Sequence, residues 1–383
     1  MDLLRRSDLH QLLESSAAPC VSLFTPTSRA GQETQQNPLR VRKGLDEARS
    51  RLTAMGVRDA EATALLKPGR DLLADTGFWR EQQGDGLALF LAPEVSHMFR
   101  VSASLPEMVV VSDRFHLRPL LPAVWPDQSY FVLALSQRDV RLLRCSRFDV
   151  RRVDLNGTPT SIEQITRFID AERPRQPRVA APRGVSGGPV HGHGEGREWD
   201  DLRAAEYVRR VAYGVGKTLN AEVDAQLIVA ATDREQALYR GAAGYPPVLG
   251  SGIVGNPDRL SDEELRARGW VLVEPLARAR MEEHAGRCVQ AAGRGTAPKG
   301  LADVLQAALE GRVEALFTCV DDVRWGRFDP RTGRAELHDR AHPGDEDLID
   351  RAAALTLAAQ GVVYSVGREQ MPTPEPLAAV LRF

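Results

Sequence analysis

Between Arg173 and Arg197 the chain carries six glycines, four prolines and five arginines against a single acid, Glu195. Such a stretch has too few apolar side chains to bury and too many backbone breakers to hold a regular element, so no packed core forms there. Folded structure must lie on either side of it. The rest of the chain is rich enough, because 383 residues, 43% of them hydrophobic, supply two or three domains of ordinary size.

Residues 1–126 read as an α/β domain. The run from Cys20 to Thr25 is apolar and gives way to a polar, turn-rich stretch, as a short strand does. Asn37 then offers an N-cap and Pro38 a first helical position, while Val41, Leu45, Ala48, Leu52 and Met55 recur at helical spacing. Arg40, Arg42, Lys43, Arg49 and Arg51 take the other directions. They make either a solvated basic face or, through Arg40, Arg42 and Lys43, a surface that touches RNA. A second helix from about Arg58 to Thr76 follows, and the runs GLALFLA, HMFRVS and MVVVS supply strands before Pro119, Pro122 and Pro126.

Residues 127–256 form the middle part. YFVLALS, VRLLRCS and VRRVDL, separated by short turns, predict an antiparallel meander, followed by a helix over Ser161 to Ala171. Beyond the glycine/arginine segment the spacing predicts a helix from Trp199 to about Asn220, a strand over Ala225 to Ala231 and a helix near Arg234 to Tyr239. The last part, residues 257–383, opens on a capping-box pair, Ser261 and Glu264, ahead of a long helical pattern. It then alternates: helix Lys299 to Glu310, strand VEALFTCV, a polar turn through Pro330 and Gly333, helix Asp345 to Gln360, and strand VVYSVG. That order predicts a compact α/β/α unit.

Composition excludes several functions. Fifty Lys and Arg against 52 Asp and Glu give a net charge of −2, so any nucleic-acid contact must be local. Cys20, Cys145, Cys288 and Cys319 stand far apart with no C-x-x-C pair, which argues against a disulfide framework or a cysteine zinc site and for a reduced, cytoplasmic protein. Neither an apolar stretch of signal-peptide length nor a run approaching the roughly 20 residues of a membrane span is present, so no membrane partner is expected.

Three motifs fail their context. Gly184-x-Ser186-x-Gly188 lacks the strand before and helix after that a nucleophile elbow needs. Gly214–Thr218, GVGKT, would need its first loop glycine at Val211 and lies inside helical periodicity, so it reads as a helix end and implies no nucleotide cofactor. His191, His193 and Glu195 have metal-ligating side chains, but no third histidine is near and a glycine loop preorganises no geometry, so neither metal nor cofactor is expected. The loop as a whole is more telling. Arg175, Arg178, Arg183 and Arg197, with Gly187, Gly188, His191 and His193 allowing close backbone approach and polar contact, are candidate RNA-binding residues. Arg203, Arg209, Arg210 and Lys217 on the next helix extend them into one basic arm.

The order CVSLFTPTS, GLALFL, SDRFHLRPLL, YFVLALSQRDVRLL, glycine loop, YVRRV, GRVEALF and GVVYSV resembles the archaeal and eukaryotic class I translation release factors and their stalled-ribosome relative Pelota, and more closely the bacterial branch of that superfamily. The resemblance spans nearly the whole chain. It implies a first α/β domain reaching toward the decoding region, a ribonuclease-H-like middle domain and an L7Ae-like last domain that meets a translational GTPase. In release factors a Gly-Gly-Gln in the middle-domain loop promotes peptidyl-tRNA hydrolysis. Here Gly187 and Gly188 are followed by Pro189, which has neither the amide side chain nor a backbone N–H to donate to a developing oxyanion. The NIKS stop-codon motif is absent as well.

The resulting expectation is a monomeric, non-catalytic protein that binds rRNA, and a tRNA end where one is present, in the ribosomal A site during rescue or hibernation. The alternative is a peptidyl-tRNA or ester hydrolase in which His191 or His193 acts as general base.

Overall fold

The computed structural model describes residues 6–14, 18–29, 31–80, 84–123, 130–165, 195–220, 226–242, 247–342 and 344–383. Contacts divide the chain into two compact units, one of residues 1–127 with 277–383 and one of residues 128–276.

In chain order the helices are α1 (Arg6–Glu14), α2 (Gln36–Ala54), α3 (Asp59–Ala74), α4 (Thr76–Arg80), α5 (Glu195–Leu219), α6 (Asp233–Ala242), α7 (Asp262–Gly293), α8 (Leu301–Leu309) and α9 (Leu348–Ala358). The first half of the strands comprises β1 (Cys20–Pro26), β2 (Gly86–Ala92), β3 (Val95–Val101), β4 (Met108–Ser112), β5 (Tyr130–Leu135), β6 (Val140–Cys145) and β7 (Val150–Val153). The rest are β8 (Gln226–Ala231), β9 (Ile253–Val254), β10 (Val313–Cys319), β11 (Trp325–Asp329), β12 (Arg334–His338), β13 (Glu346–Asp347), β14 (Val362–Val366) and β15 (Leu377–Leu381). The fold class is mixed α/β, as the alternation of apolar runs and helical spacing predicts.

In the first unit the sheet β3-β2-β1-β4 is antiparallel throughout, with Leu23 opposite Leu89 and Phe24 opposite Ala88. Its two faces are both apolar, since the strands are buried on both sides. Val21 and Leu23 pack with Val41, Leu45 and Leu52 of α2 and Leu66 of α3. Phe24 and Phe90 point the other way, into a core shared with Phe115, Leu305 of α8 and Ile349 of α9. A second sheet, β14-β10-β15, pairs β10 parallel to β14 and antiparallel to β15. A small third sheet, β12-β11-β13, is antiparallel.

In the second unit one sheet runs β7-β6-β5-β8-β9: the predicted meander, then two strands parallel to β5. Alternation along β5 sends Phe131, Leu133 and Leu135 to the face covered by α5 and Tyr130, Val132 and Ala134 to the face packed on Leu265 and Val273 of α7.

Several expectations need correction. Asn37 is not the N-cap of α2. The helix continues directly from a 3₁₀ turn over Gln32–Gln35, and Asn37, 1% exposed, instead clamps the preceding loop by accepting from Ser28 N–H and donating to Ser28 O, both at 3.0 Å. The helix after the glycine segment begins at Glu195, not Trp199, and α9 begins at Leu348 with Asp347 as its cap rather than at Asp345. The polar turn through Pro330 and Gly333 proves to be the tip of a hairpin between β11 and β12. The capping box is present: Glu264 Oε2 accepts from Ser261 N–H at 2.8 Å, and Glu264 N–H donates to Ser261 Oγ at 3.2 Å. Of the predicted 161–171 helix, Ser161 is a bend, residues 162–165 are helical and residues 166–171 lie outside the described residues.

Candidate nucleic-acid interface

Helix α5 has two unlike faces. Tyr207, Val208, Val211, Val215 and Leu219 recur every three or four residues and are buried against β5 and β8. Tyr207 anchors this face: its hydroxyl donates to Ser136 O at 2.8 Å, and burial raises its pKa far above the usual phenol value.

The other face carries charge. Arg209, Arg210 and Lys217 are exposed, and Tyr213, 77% exposed, stands among them at helical spacing from Arg209, Arg210 and Lys217. Glu206 is the single acid on this stretch; it pairs with Arg210 at 2.8 Å and also with Arg209. These side chains line a cleft of about 860 Å³ whose far wall is Asn156, Gly157, Thr158 and Pro159. A flat exposed ring flanked by three cations offers a stacking platform and phosphate contacts together, the pairing that single-stranded RNA recognition uses.

Gly214 lets the far wall approach the helix closely. It lies within the helix, so GVGKT is not a phosphate loop, and a Cβ there would stand 2.0 Å from Thr158 Oγ1. The glycine thus costs the helix about 1 kcal/mol in propensity but lets the loop after β7 press against it.

The structure places the predicted residues unevenly. Arg175, Arg178, Arg183, Gly187, Gly188, His191 and His193 lie outside the described residues, as does the side chain of Arg197, whose backbone belongs to the first turn of α5. In the first unit, Arg40 and Lys43 both face Glu107, at 3.4 and 3.6 Å, and Arg40 also donates to Pro26 O and Gln36 Oε1. Among the described residues Arg42 alone of the three is exposed without an ion pair. Tyr213 is the member the sequence reading missed; it sits off the apolar stripe of α5 by position, which was the available signal. The cysteines are free and buried, and among the described residues no helix is long and apolar enough to cross a membrane.

No curated protein matches the chain in sequence. Among solved structures, similarity is found to an archaeal translation termination factor (15% identity, 99% of this chain and 99% of that chain, TM-score 0.23). A ribosome-bound archaeal Pelota (13%, 99% and 94%, TM-score 0.36) and the Pelota protein of Thermoplasma acidophilum (12%, 79% and 81%, TM-score 0.25) are similar too. Residues 129–312, which include the whole of α5 and its cleft, match the family model of bacterial archaeo-eukaryotic release factor family 3. Over that span, a little under half of its length, the chain is similar to this bacterial family of archaeo-eukaryotic release factors.

Proposed function

We propose that the chain is a ribosome-associated, release-factor-like protein that occupies the A site in rescue or hibernation without hydrolysing peptidyl-tRNA. The match of residues 129–312 to a release factor family carries this reading. The basic, tyrosine-bearing face of α5 supports it chemically, because it joins phosphate-neutralising cations to a stacking ring on the helix that follows the glycine/arginine segment in sequence. Pro189 after Gly187 and Gly188 supports the absence of peptide release, since no amide follows the two glycines.

In this reading residues 127–256 form a ribonuclease-H-like middle domain, which the antiparallel-then-parallel order β7-β6-β5-β8-β9 supports. Residues 1–126 act as the arm toward the decoding region, with Arg42 its most available cation, and the L7Ae-like residues 257–383 as the surface for a translational GTPase. Arg175, Arg178, Arg183, Gly187, Gly188, His191, His193 and Arg197 contact rRNA or a tRNA end, and the protein works as a cytoplasmic monomer.

The test is cosedimentation with ribosomes at low and moderate salt, comparing the wild-type chain with an Arg175, Arg178, Arg183, Arg197→Ala variant. Salt-sensitive binding by the wild type that weakens in the variant is the expected result. Absence from ribosomes at both salts overturns the proposal. A parallel assay of peptide release from ribosome-bound peptidyl-tRNA is expected to stay at background; turnover lost in His191→Ala or His193→Ala would replace the non-catalytic reading with the hydrolase.

A further inference from the structure

In the first unit the chain turns after His338, the last residue of β12, so that three donor atoms converge. Both imidazoles aim Nδ1 at one carboxylate oxygen, Asp345 Oδ2: His338 at 2.7 Å and His342 at 3.3 Å. The rings stand at 88° with centroids 4.8 Å apart, and one ligand atom from each of the three residues lies within 4.8 Å of the others. The Asp345 side chain is fully buried and fixed, because Oδ2 also accepts the His342 backbone N–H at 2.9 Å, while Arg327 Nε contacts the other oxygen, Oδ1, at 3.3 Å.

Two further observations point to a cation. Ligand atoms held about 2.0–2.1 Å from a tetrahedral zinc ion stand about 3.3 Å apart, so the His342–Asp345 pair already has that spacing and the His338–Asp345 pair needs to open by about 0.6 Å. The second imidazole nitrogen of His338, Nε2, faces a carboxylate of its own, Glu336 Oε1, at 3.4 Å. Without a cation His338 Nδ1–H donates to Asp345 Oδ2; a cation displaces that proton, and the carboxylate at Nε2 then holds the remaining N–H, the arrangement that orients a metal-ligating histidine. Arg327 on Oδ1 leaves Oδ2 as the one ligating oxygen. A cavity of about 420 Å³, lined by His342 and Asp345 among others, gives a path in from solvent.

We propose that His338, His342 and Asp345 bind a borderline divalent cation of the zinc class, with Glu336 orienting His338. Two imidazoles and one carboxylate select Zn²⁺ or Co²⁺ over the all-oxygen cations Mg²⁺ and Ca²⁺. Three protein ligands leave one position for water or for an atom entering through the cavity. The site lies outside the matched residues 129–312 and does not depend on the proposed ribosome binding.

The experiment is Zn²⁺ titration by calorimetry of the tag-free full chain after chelation, with Co²⁺ as a spectroscopic probe. One Zn²⁺ per chain and a tetrahedral-type Co²⁺ spectrum are expected, with affinity falling at least tenfold in His342→Ala and in His338→Ala. His342 is 44% exposed at its side chain, so its removal leaves the packed core intact, and an unchanged melting curve of that variant excludes a folding artefact. A His191→Ala, His193→Ala double variant is expected to keep the site. Lack of stoichiometric uptake, uptake surviving His342→Ala, or uptake lost in the His191/His193 variant would each overturn the proposal.

Discussion

Asp350 accepts the backbone N–H of Arg118 at 2.7 Å across 232 residues of sequence, and the same oxygen accepts Leu117 N–H at 2.8 Å. Its other oxygen lies 2.9 Å from Arg114 Nη1, and His116 Nδ1 is 3.4 Å from Oδ1. Arg114 reaches on to Glu346 at 2.5 Å, and Arg118 to Asp347 at 3.0 Å and to Asp322 O at 2.5 Å. The alternation in SDRFHLRPLL therefore has two uses: Phe115 and Leu117 enter the core while Arg114, His116 and Arg118 dock on the first turn of α9. Asp350 is 1% exposed, and a buried carboxylate is tolerated only when paired and hydrogen-bonded in this way.

Removing that carboxylate leaves the Arg114 guanidinium short of one counter-ion and two backbone N–H groups without an acceptor. Asp350→Ala is expected to lower the stability of the first unit by about 3–5 kcal/mol, the range for breaking one side of a buried pair. Denaturant unfolding measures it. A loss below about 1 kcal/mol would show that the network is solvated in solution.

The same residue sets an acid limit. Burial alone would raise the Asp350 pKa, but His116, Arg114 and the Leu117 N–H outweigh it and hold the carboxyl well below the usual carboxylate range. A depressed folded pKa stabilises fully above the unfolded value of about 3.9, and the contribution is lost as pH falls below it. Melting curves of the wild type and Asp350→Asn are therefore expected to differ by a constant amount at neutral pH and to converge below about pH 4. A gap that stays constant down to pH 2.5 would contradict the assignment.

Much of this architecture was legible because the central strands are buried on both faces. β2 and β5 appear in sequence as unbroken apolar runs and β1 as a run interrupted only by Ser22 and Thr25, and the stripe Tyr207, Val211, Val215 marks α5 without any structure. The strands β11 and β12, WGRFD and RAELH, carry no such run. They pair because of turn chemistry: Asp329 O accepts Gly333 N–H at 2.8 Å, Asp329 Oδ1 accepts Arg331 N–H at 2.9 Å, and Gly333 takes φ 68°. A reading based on apolar spacing sees only a polar turn there.

The sites divide along the same line. The cations of α5 are visible in sequence because one helix carries them all, whereas the docking of Arg114, His116 and Arg118 on residues 346–350 joins segments more than 200 residues apart. His338, His342 and Asp345 were readable as H-x₃-H-x₂-D, a local spacing. The helical look of residues from Asp345 onward hides the site, since only the backbone turn that delays α9 to Leu348 brings Asp345 back to His338.

Packing at Gly214 gives a prediction with opposing terms. Alanine improves helix propensity by about 1 kcal/mol, yet its Cβ would stand 2.0 Å from Thr158 Oγ1 and 2.9 Å from Thr158 Cβ. Gly214→Ala is expected to be destabilising by about 1–3 kcal/mol, the usual cost of overpacking. Thr158→Gly in the same chain is expected to restore most of the loss, as a thermal double-mutant cycle would reveal. Gly214→Ala as stable as the wild type would mean that the loop after β7 does not rest on α5.

The α5 face separates charge from stacking. Converting Arg209, Arg210 and Lys217 to Ala is expected to reduce the salt dependence of single-stranded RNA binding by about two in the log–log slope, near 0.7 per lost phosphate contact. Tyr213→Ala leaves the slope unchanged and lowers affinity by about 1–3 kcal/mol, because stacking involves no counter-ion release. Glu206→Gln acts in the opposite direction: it releases Arg209 and Arg210 from their shared carboxylate and tightens binding at low salt. Filter binding or fluorescence anisotropy with an unstructured oligoribonucleotide at several salt concentrations reads all three variants. An affinity unmoved by Tyr213→Ala and by Glu206→Gln would remove α5 from the RNA-binding surface and leave that role to the glycine/arginine segment before it.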